Sequence, residues 1–273
     1  MLRPDTPQSR ARIFEISGFF SDRRIWGEIP EGFTKIVDAE GGRLLVRKDQ
    51  VGAIALATCR QPGERDGARR FHGRQALKSI ELKSGGSIVI RPYYHGGVLR
   101  AVTRDLFVTW PPRPFRELTI TEELRRRGVP TVEVYAACVE RLCGPFYRGW
   151  LVTRELEEAQ DLWAALQNGF AGRIGIERVL GAVAKSLRAV HREGVYHTDL
   201  NLKNILIRNE REGARGYIID FDKAKLLSGP LPPELVQRNL DRLLRSIRKL
   251  DPERGFFSPR TWDQFVNLYH ATD

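Results

Sequence analysis

HTDLNLKNIL at residues 197–206 and YIIDFD at residues 217–222 decide the reading of this chain. Ahead of them Ile176, Val179, Leu180, Val183, Leu187 and Val190 recur at i, +3, +4, +7, +11 and +14. That spacing predicts one face of an amphipathic helix, and Gly194 ends it. Two short strands are expected next, at 205–208 and 217–220. Asp199 and Asn204 then lie in the loop after a helix, and Asp220 ends a strand whose other residues are apolar. Phosphoryl transfer needs little covalent help. It needs an acceptor hydroxyl held in line, a group to take its proton, and metal ions on the phosphates. Asp199 suits the proton-accepting, catalytic role. Asn204 and Asp220 suit oxygen ligation of Mg²⁺, a hard cation, with Asp220 bridging it to the phosphates of ATP. His197 reads as a structural residue hydrogen-bonded beneath the site.

Outward from this centre, the N-terminal side is rich in strands. Segments 33–37 and 44–47 flank a turn at Glu40-Gly41-Gly42, and 75–83 and 87–91 flank Ser84-Gly85-Gly86 as a hairpin. Residues 60–70, with a proline, two glycines and alternating charges, read as a loop. A helix is expected from about 115 to 127, after Pro111, Pro112 and Pro114, with Gly128 and Pro130 at its end. Strands at 132–139 and 150–153 follow around Cys143-Gly144-Pro145. Beyond the central motif a last long helix carries Val236, Leu240, Leu243, Leu244, Ile247 and Leu250 on one face. Arg238, Arg242, Arg245, Arg248 and Lys249 line the other. The fold class expected is α+β: a bilobal protein-kinase-like fold with a β-rich N-lobe containing one helix and an α-rich C-lobe. Residues 1–60 form an N-terminal extension or small added β element, 61–154 the N-lobe and 155–273 the C-lobe, with a hinge near 153–156.

In such an N-lobe, Gly73 and Arg74 are candidates for the loop whose backbone N–H groups cover the phosphates. Ser87-Ile88-Val89-Ile90-Arg91 places a cation on the third strand, where it would hold phosphates while paired to a helix glutamate. Glu117 is the natural partner of Arg91. Glu122 and Glu123 compete with Glu117, and Lys78 or Lys83 with Arg91. Arginine is a planar fork, so its phosphate contact differs from that of a lysine. Glu155 and Leu156 are the nucleotide-binding candidates at the hinge.

The 273 residues carry a net charge of +11, with 41% hydrophobic and 29% charged residues. That is the make-up of a globular protein with an anionic partner. No apolar run approaches the ~18 residues of a membrane span. The N-terminus has arginines but no apolar core after them, so no signal peptide is expected and the cytoplasm is the expected compartment. Cys59, Cys138 and Cys143 make an odd count without a CxxC pair, which implies reduced thiols. Nothing in the sequence sets an oligomeric state.

HTDLNLKNIL with YIIDFDKAKL, the strand and loop IVIRPYYHGG at 88–97, and PPRPFREL at 111–118 leading to GVPTVEV together resemble the bacterial lipopolysaccharide core kinases. The likeness is to the 3-deoxy-D-manno-octulosonic acid (Kdo) kinase group and runs from about residue 71 to 250. In that family an arginine at the third-strand position is usual. The resemblance implies ATP and Mg²⁺ as donor and metal, and a Kdo or heptose hydroxyl of a lipid A-linked acceptor. It implies peripheral work on the cytoplasmic face of the inner membrane, against an anionic membrane surface. It also carries Gly73, Arg74, Arg91, Glu117, Asp199, Asn204 and Asp220 over to the roles above. Asp222 stands where protein kinases have the glycine of DFG, so no flip of that segment is expected.

Two other functions fit parts of the pattern. An atypical, RIO-like protein kinase would share the loop. However, Asn201 replaces the usual lysine two residues after the catalytic Asp, and 223–235 holds no APE-ended activation segment. A pseudokinase scaffold would explain the poor glycine loop, yet has no chemical need for Asp199, Asn204 and Asp220 together. Nucleic acid is not an expected partner, since only net charge favours it.

Overall fold

A computed structural model of the chain describes residues 22–60, 69–70, 78–82, 85–94 and 105–271. After a short helix α1 (Asp22–Trp26), strands β1 (Phe33–Val37) and β2 (Arg43–Arg47) form an antiparallel hairpin, followed by α2 (Leu56–Arg60). Strands β3 (Arg69–Arg70), β4 (Lys78–Glu81) and β5 (Ser87–Pro92), helix α3 (Arg113–Arg126), and strands β6 (Val134–Arg141) and β7 (Tyr147–Arg154) complete the N-lobe. These seven strands make one antiparallel sheet in the order β1-β2-β6-β7-β5-β4-β3. The hairpin β1–β2, from the stretch expected as an extension or added β element, therefore continues that sheet beside β6.

Strand periodicity explains how one sheet carries two cores. Leu45, Ala137, Val139 and Leu151 point to the face covered by α3, where Phe115 and Leu118 meet them and Trp26 stacks on Phe115 at 5.4 Å. Leu44, Val46, Ala136, Cys138, Val152, Ile88 and Ile90 point the other way, under Ile54, Leu56 and Cys59. Gly149 lets α3 come this close: a Cβ there would lie 2.5 Å from Cγ of Pro114. Cys59 and Cys138, both fully buried, are joined by a disulfide, which corrects the expectation of three reduced thiols; Cys143 is free and exposed. The bonded pair is 79 residues apart and is brought together only by packing of α2 on the sheet.

After β7 come β8 (Gln160–Asp161), α4 (Leu162–Gln167), α5 (Phe170–Ile174) and the long α6 (Ile176–Arg192). Of the predicted face of α6, Val179, Leu180, Val183, Leu187 and Val190 are buried, while Ile176 at its first turn is exposed. Gly194 then turns the chain at φ +74°, with a would-be Cβ only 2.2 Å from the carbonyl oxygen of Gly229, so no side chain fits. Strand β9 (Val195–Tyr196) leads into the loop of the central motif, which closes in a 3₁₀ turn at Leu202–Asn204. Strands β10 (Ile205–Glu210) and β11 (Gly213–Ile218) pair as a hairpin, and β12 (Lys225–Leu226) pairs with β9. Helices α7 (Pro233–Leu250) and α8 (Pro259–His270) close the C-lobe. Helix α8 is a correction to the expectation that α7 is the last helix. Asp220 also lies beyond the strand, not within it.

The bilobal α+β, protein-kinase-like arrangement predicted from the motifs is the one observed. Among the described residues no helix is long and apolar enough to cross a membrane.

Candidate active site

The loop after β9 is tied from inside. His197 is 1% exposed; its Nε2 donates to the carbonyl of Ile219 at 3.0 Å and its Nδ1 accepts from the N–H of Asp199 at 3.3 Å. These partners assign the Nε2–H tautomer, and burial lowers the ring's pKa, so the imidazole is neutral. The carbonyl of Asp199 accepts the side-chain amides of Asn201 and Asn204, both at 2.9 Å. The oxygen of the Asn201 amide accepts from Lys203 N at 3.0 Å, so Asn201 is used up in closing the turn. Asp199 itself is exposed at the mouth of the loop.

From α7, Asn239 reaches beneath the loop. Its amide donates to the carbonyl of His197 at 2.8 Å, and its oxygen accepts from His197 N at 3.1 Å. Asn239 is not among the residues that the sequence motifs single out. Its signal is a polar residue bordering an apolar helix face, fully buried here.

The β10–β11 ladder continues one step further, where Ile219 N donates to the carbonyl of Asn204 at 3.0 Å. This brings Asn204 and Asp220 side by side. Asp220 turns off the strand at φ +69°. Its Oδ1 accepts from Nη1 of Arg91 at 3.1 Å, so β5 of the N-lobe meets the C-lobe at this carboxylate. Nη2 of Arg91 donates to both oxygens of Glu117 at 2.5 Å, and the Tyr93 hydroxyl also donates to Glu117. Burial disfavours the Arg91 cation, but Glu117 and Asp220 outweigh it and raise its pKa. Burial likewise raises the pKa of Glu117, and Arg91 beside it opposes the rise. The geometry is that of an ion pair.

The competing partners are elsewhere. Glu122 binds Val134 N and Arg125, and Glu123 binds Arg126 and Arg127. Gly73, Arg74, Lys83 and the side chain of Lys78 lie outside the described residues. At the hinge, Glu155 N donates to the carbonyl of Ser87 at 2.8 Å and its carboxylate accepts from Ser79, while the Leu156 carbonyl accepts from Ala159 N. Glu155 and Leu156 border a cavity of about 370 Å³ that Val129, Thr131, Arg208 and Tyr217 also line. The structure thus gathers Asp199, Asn204, Asp220, Arg91 and Glu117, and leaves the hinge pair apart from them.

Asn204 and Asp220 offer an amide and a carboxylate oxygen, the donors a hard divalent cation takes. The contact of Asn204 Nδ2 with Asp199 directs its Oδ1 away from that carbonyl. Among the described residues no group of three or more His, Cys, Asp or Glu forms a metal cluster. A cation on this pair would therefore draw its other oxygens from substrate phosphates and water, as Mg²⁺ does.

The model of the lipopolysaccharide kinase (Kdo/WaaP) family matches residues 64–269, most of the chain. The chain belongs to this family. Among its relatives is the 3-deoxy-D-manno-octulosonic acid kinase of Pasteurella multocida, 31% identical over 205 residues, 73% of this chain and 82% of the relative. The enzyme of the same name from Mannheimia succiniciproducens is 33% identical over 190 residues, 68% of this chain and 76% of the relative. A solved structure, WaaP in complex with acyl carrier protein, covers 85% of this chain and 90% of its own at a TM-score of 0.53 and 17% identity, a likeness of fold. The family match contains both central motifs, IVIRPYYHGG and α3, so the predicted membership is borne out on the segments that suggested it.

Proposed function

We propose that this protein transfers the γ-phosphate of ATP to a hydroxyl of 3-deoxy-D-manno-octulosonic acid in a lipid-linked lipopolysaccharide acceptor, with Mg²⁺ as the metal. The observation that carries the reading is the set Asp199–Asn204–Ile219–Asp220–Arg91–Glu117, linked by hydrogen bonds and by the Ile219–Asp220 peptide bond. It joins a proton acceptor, two oxygen donors and a fixed cation across the two lobes. The acceptor is inferred from the relatives, which are Kdo kinases by name.

In this reading the exposed carboxylate of Asp199 accepts the proton of the acceptor hydroxyl and orients it. The buried contacts of His197 and Asn239 hold the backbone from which Asp199 projects. Asn204 and Asp220 would hold Mg²⁺, which when bound would neutralise phosphate charge. Glu117 fixes Arg91 as a cation for the donor phosphates. An arginine serves there because its planar fork binds Glu117 through Nη2 while Nη1, beside Asp220, stays directed at the metal and phosphate position. Asn201 takes no part in neutralising the transferred phosphate, since its amide is consumed within the loop.

The acceptor is tested by ³²P transfer from ATP to precursors bearing either Kdo or a heptose on lipid A. Transfer to the Kdo precursor is expected. Transfer only to the heptose precursor would move the acceptor assignment, and no transfer to either would overturn the reading.

A further inference from the structure

The turn after β11 is held at every residue. Ile219 is fixed on both sides of its peptide, by Asn204 and His197. Phe221 is fully buried, with its ring 5.4 Å from that of His197. Asp222 receives a fork from Arg113, whose Nε donates to Oδ1 at 2.7 Å and whose Nη2 donates to Oδ2. Asp220 stands between these anchors at φ +69°. A non-glycine residue in that region carries backbone strain and persists where its surroundings over-determine it.

Arg113 is itself caged. Its guanidinium lies 4.7 Å from the centroid of the Phe107 ring and 5.7 Å from that of Tyr93, and its backbone N–H donates to the Tyr147 hydroxyl at 2.9 Å. Only 15% of the Arg113 side chain and 10% of the Asp222 side chain are exposed. A bidentate pair in such a setting is directional, and losing one partner leaves a buried charge. Arg113 and Glu117 are one helical turn apart, so they share a face of α3. One helix face thus holds Arg91 through Glu117 and the Asp220 turn through Asp222.

We propose that Arg113 and Asp222 are a positioning pair that clamps the turn carrying Asp220 to α3, setting the Asp220 carboxylate for the metal in register with Arg91. The pair touches no reacting atom. The proposal rests on the phosphotransferase reading above. It gives Asp222 a task that the glycine of DFG has no side chain to perform: DFD here is a clasp between lobes.

The test uses the full chain with Asp222→Asn and Arg113→Lys, and isothermal titration with a non-hydrolysable ATP analogue, in excess Mg²⁺ and in EDTA. Both variants are expected to bind the analogue about 10–100-fold more weakly in Mg²⁺ and within about twofold of wild type in EDTA, the size of loss seen when a partner of a metal ligand is removed. The Mg²⁺ concentration giving half-maximal turnover should rise in parallel. Arg113→Lys, which keeps the charge but not the fork, should lie between wild type and Asp222→Asn, and it decides the matter if Asp222→Asn does not fold. Unchanged affinity in Mg²⁺, or an equal loss with and without Mg²⁺, would overturn the clasp while leaving the phosphotransferase reading in place. A wild-type chain that binds no analogue in Mg²⁺ would overturn both.

Discussion

Asp199 is exposed and His197, two residues earlier, is buried, and that division separates chemistry from support within one loop. Replacing Asp199 by Asn keeps size and removes the proton acceptor. Turnover is expected to fall about 10²–10⁴-fold, the usual range for a general base, with an unchanged melting temperature. Asp220→Asn should lose turnover comparably, read in the same assay and the same melt; near-wild-type rates in both would refute the site assignment. Asp199, Asn204, Asp220, Arg91 and Glu117 are legible in the sequence. Each is a chemically uncommon residue at a set distance from a helix or strand end. Arg113 and Asn239 are not, because their value lies in partners 109 and 42 residues away.

At the scale of elements, helices α6, α7 and α8 meet at a buried imidazole. Nδ1 of His191 contacts the Tyr269 hydroxyl at 2.7 Å and its Nε2 contacts Oδ1 of Asn239 at 3.1 Å. Burial lowers the His191 pKa to about 4 from its usual 6.5. The folded state therefore holds the neutral ring, and the unfolded chain binds a proton more readily between those values. The stability this group contributes is present above pH 6.5 and is lost as pH falls through the window to about 4. The full loss is about 3 kcal/mol at 1.36 kcal/mol per unit. The prediction is checked by thermal melts from pH 7.5 to 4. Their acid slope should be shallower in His191→Gln than in wild type, and equal slopes would refute it. His197, also lowered by burial, adds in the same direction. Helix α8 does leave a trace in the sequence: Ser258 caps it, proline follows, and Trp262, Phe265, Val266 and Tyr269 recur at helical spacing. Its short, aromatic, proline-flanked segment gives a weaker periodic signal than the longer aliphatic stripe of α7.

For the molecule as a whole, the net charge of +11 needs a destination. Many arginines of the N-lobe are spent on carboxylates, Arg47 on Asp49 and Glu133 and Arg60 on Glu40 and Glu140 among them. On α7, by contrast, Arg238, Arg245, Arg248 and Lys249 are exposed on the side opposite Leu240, Leu243 and Ile247. Arg242, between them, reaches the Tyr196 hydroxyl at 3.4 Å, next to the loop of Asp199. This stripe is proposed to face the anionic membrane that presents the acceptor. At about 1 kcal/mol per basic residue, neutralising Arg238, Arg245 and Lys249 together should weaken sedimentation with phosphatidylglycerol vesicles by roughly 100-fold. Phosphorylation of a soluble, delipidated acceptor should be unchanged. Equal vesicle binding by the triple variant would remove this surface from the proposal.

The sequence alone determined the bilobal class, the succession of a strand-rich half and a helix-rich half, and the central loop, and it named Arg91 and Glu117 among competing partners. These follow from periodicity, turn residues and a few chemically demanding side chains at short range. Only the tertiary structure decided that β1 and β2 continue the N-lobe sheet, that Cys59 and Cys138 are bonded, and that the second Asp of DFD grips Arg113. Each of these joins residues far apart in the chain. Such contacts leave no local periodicity, because the energy that selects them appears only when the two faces are buried together.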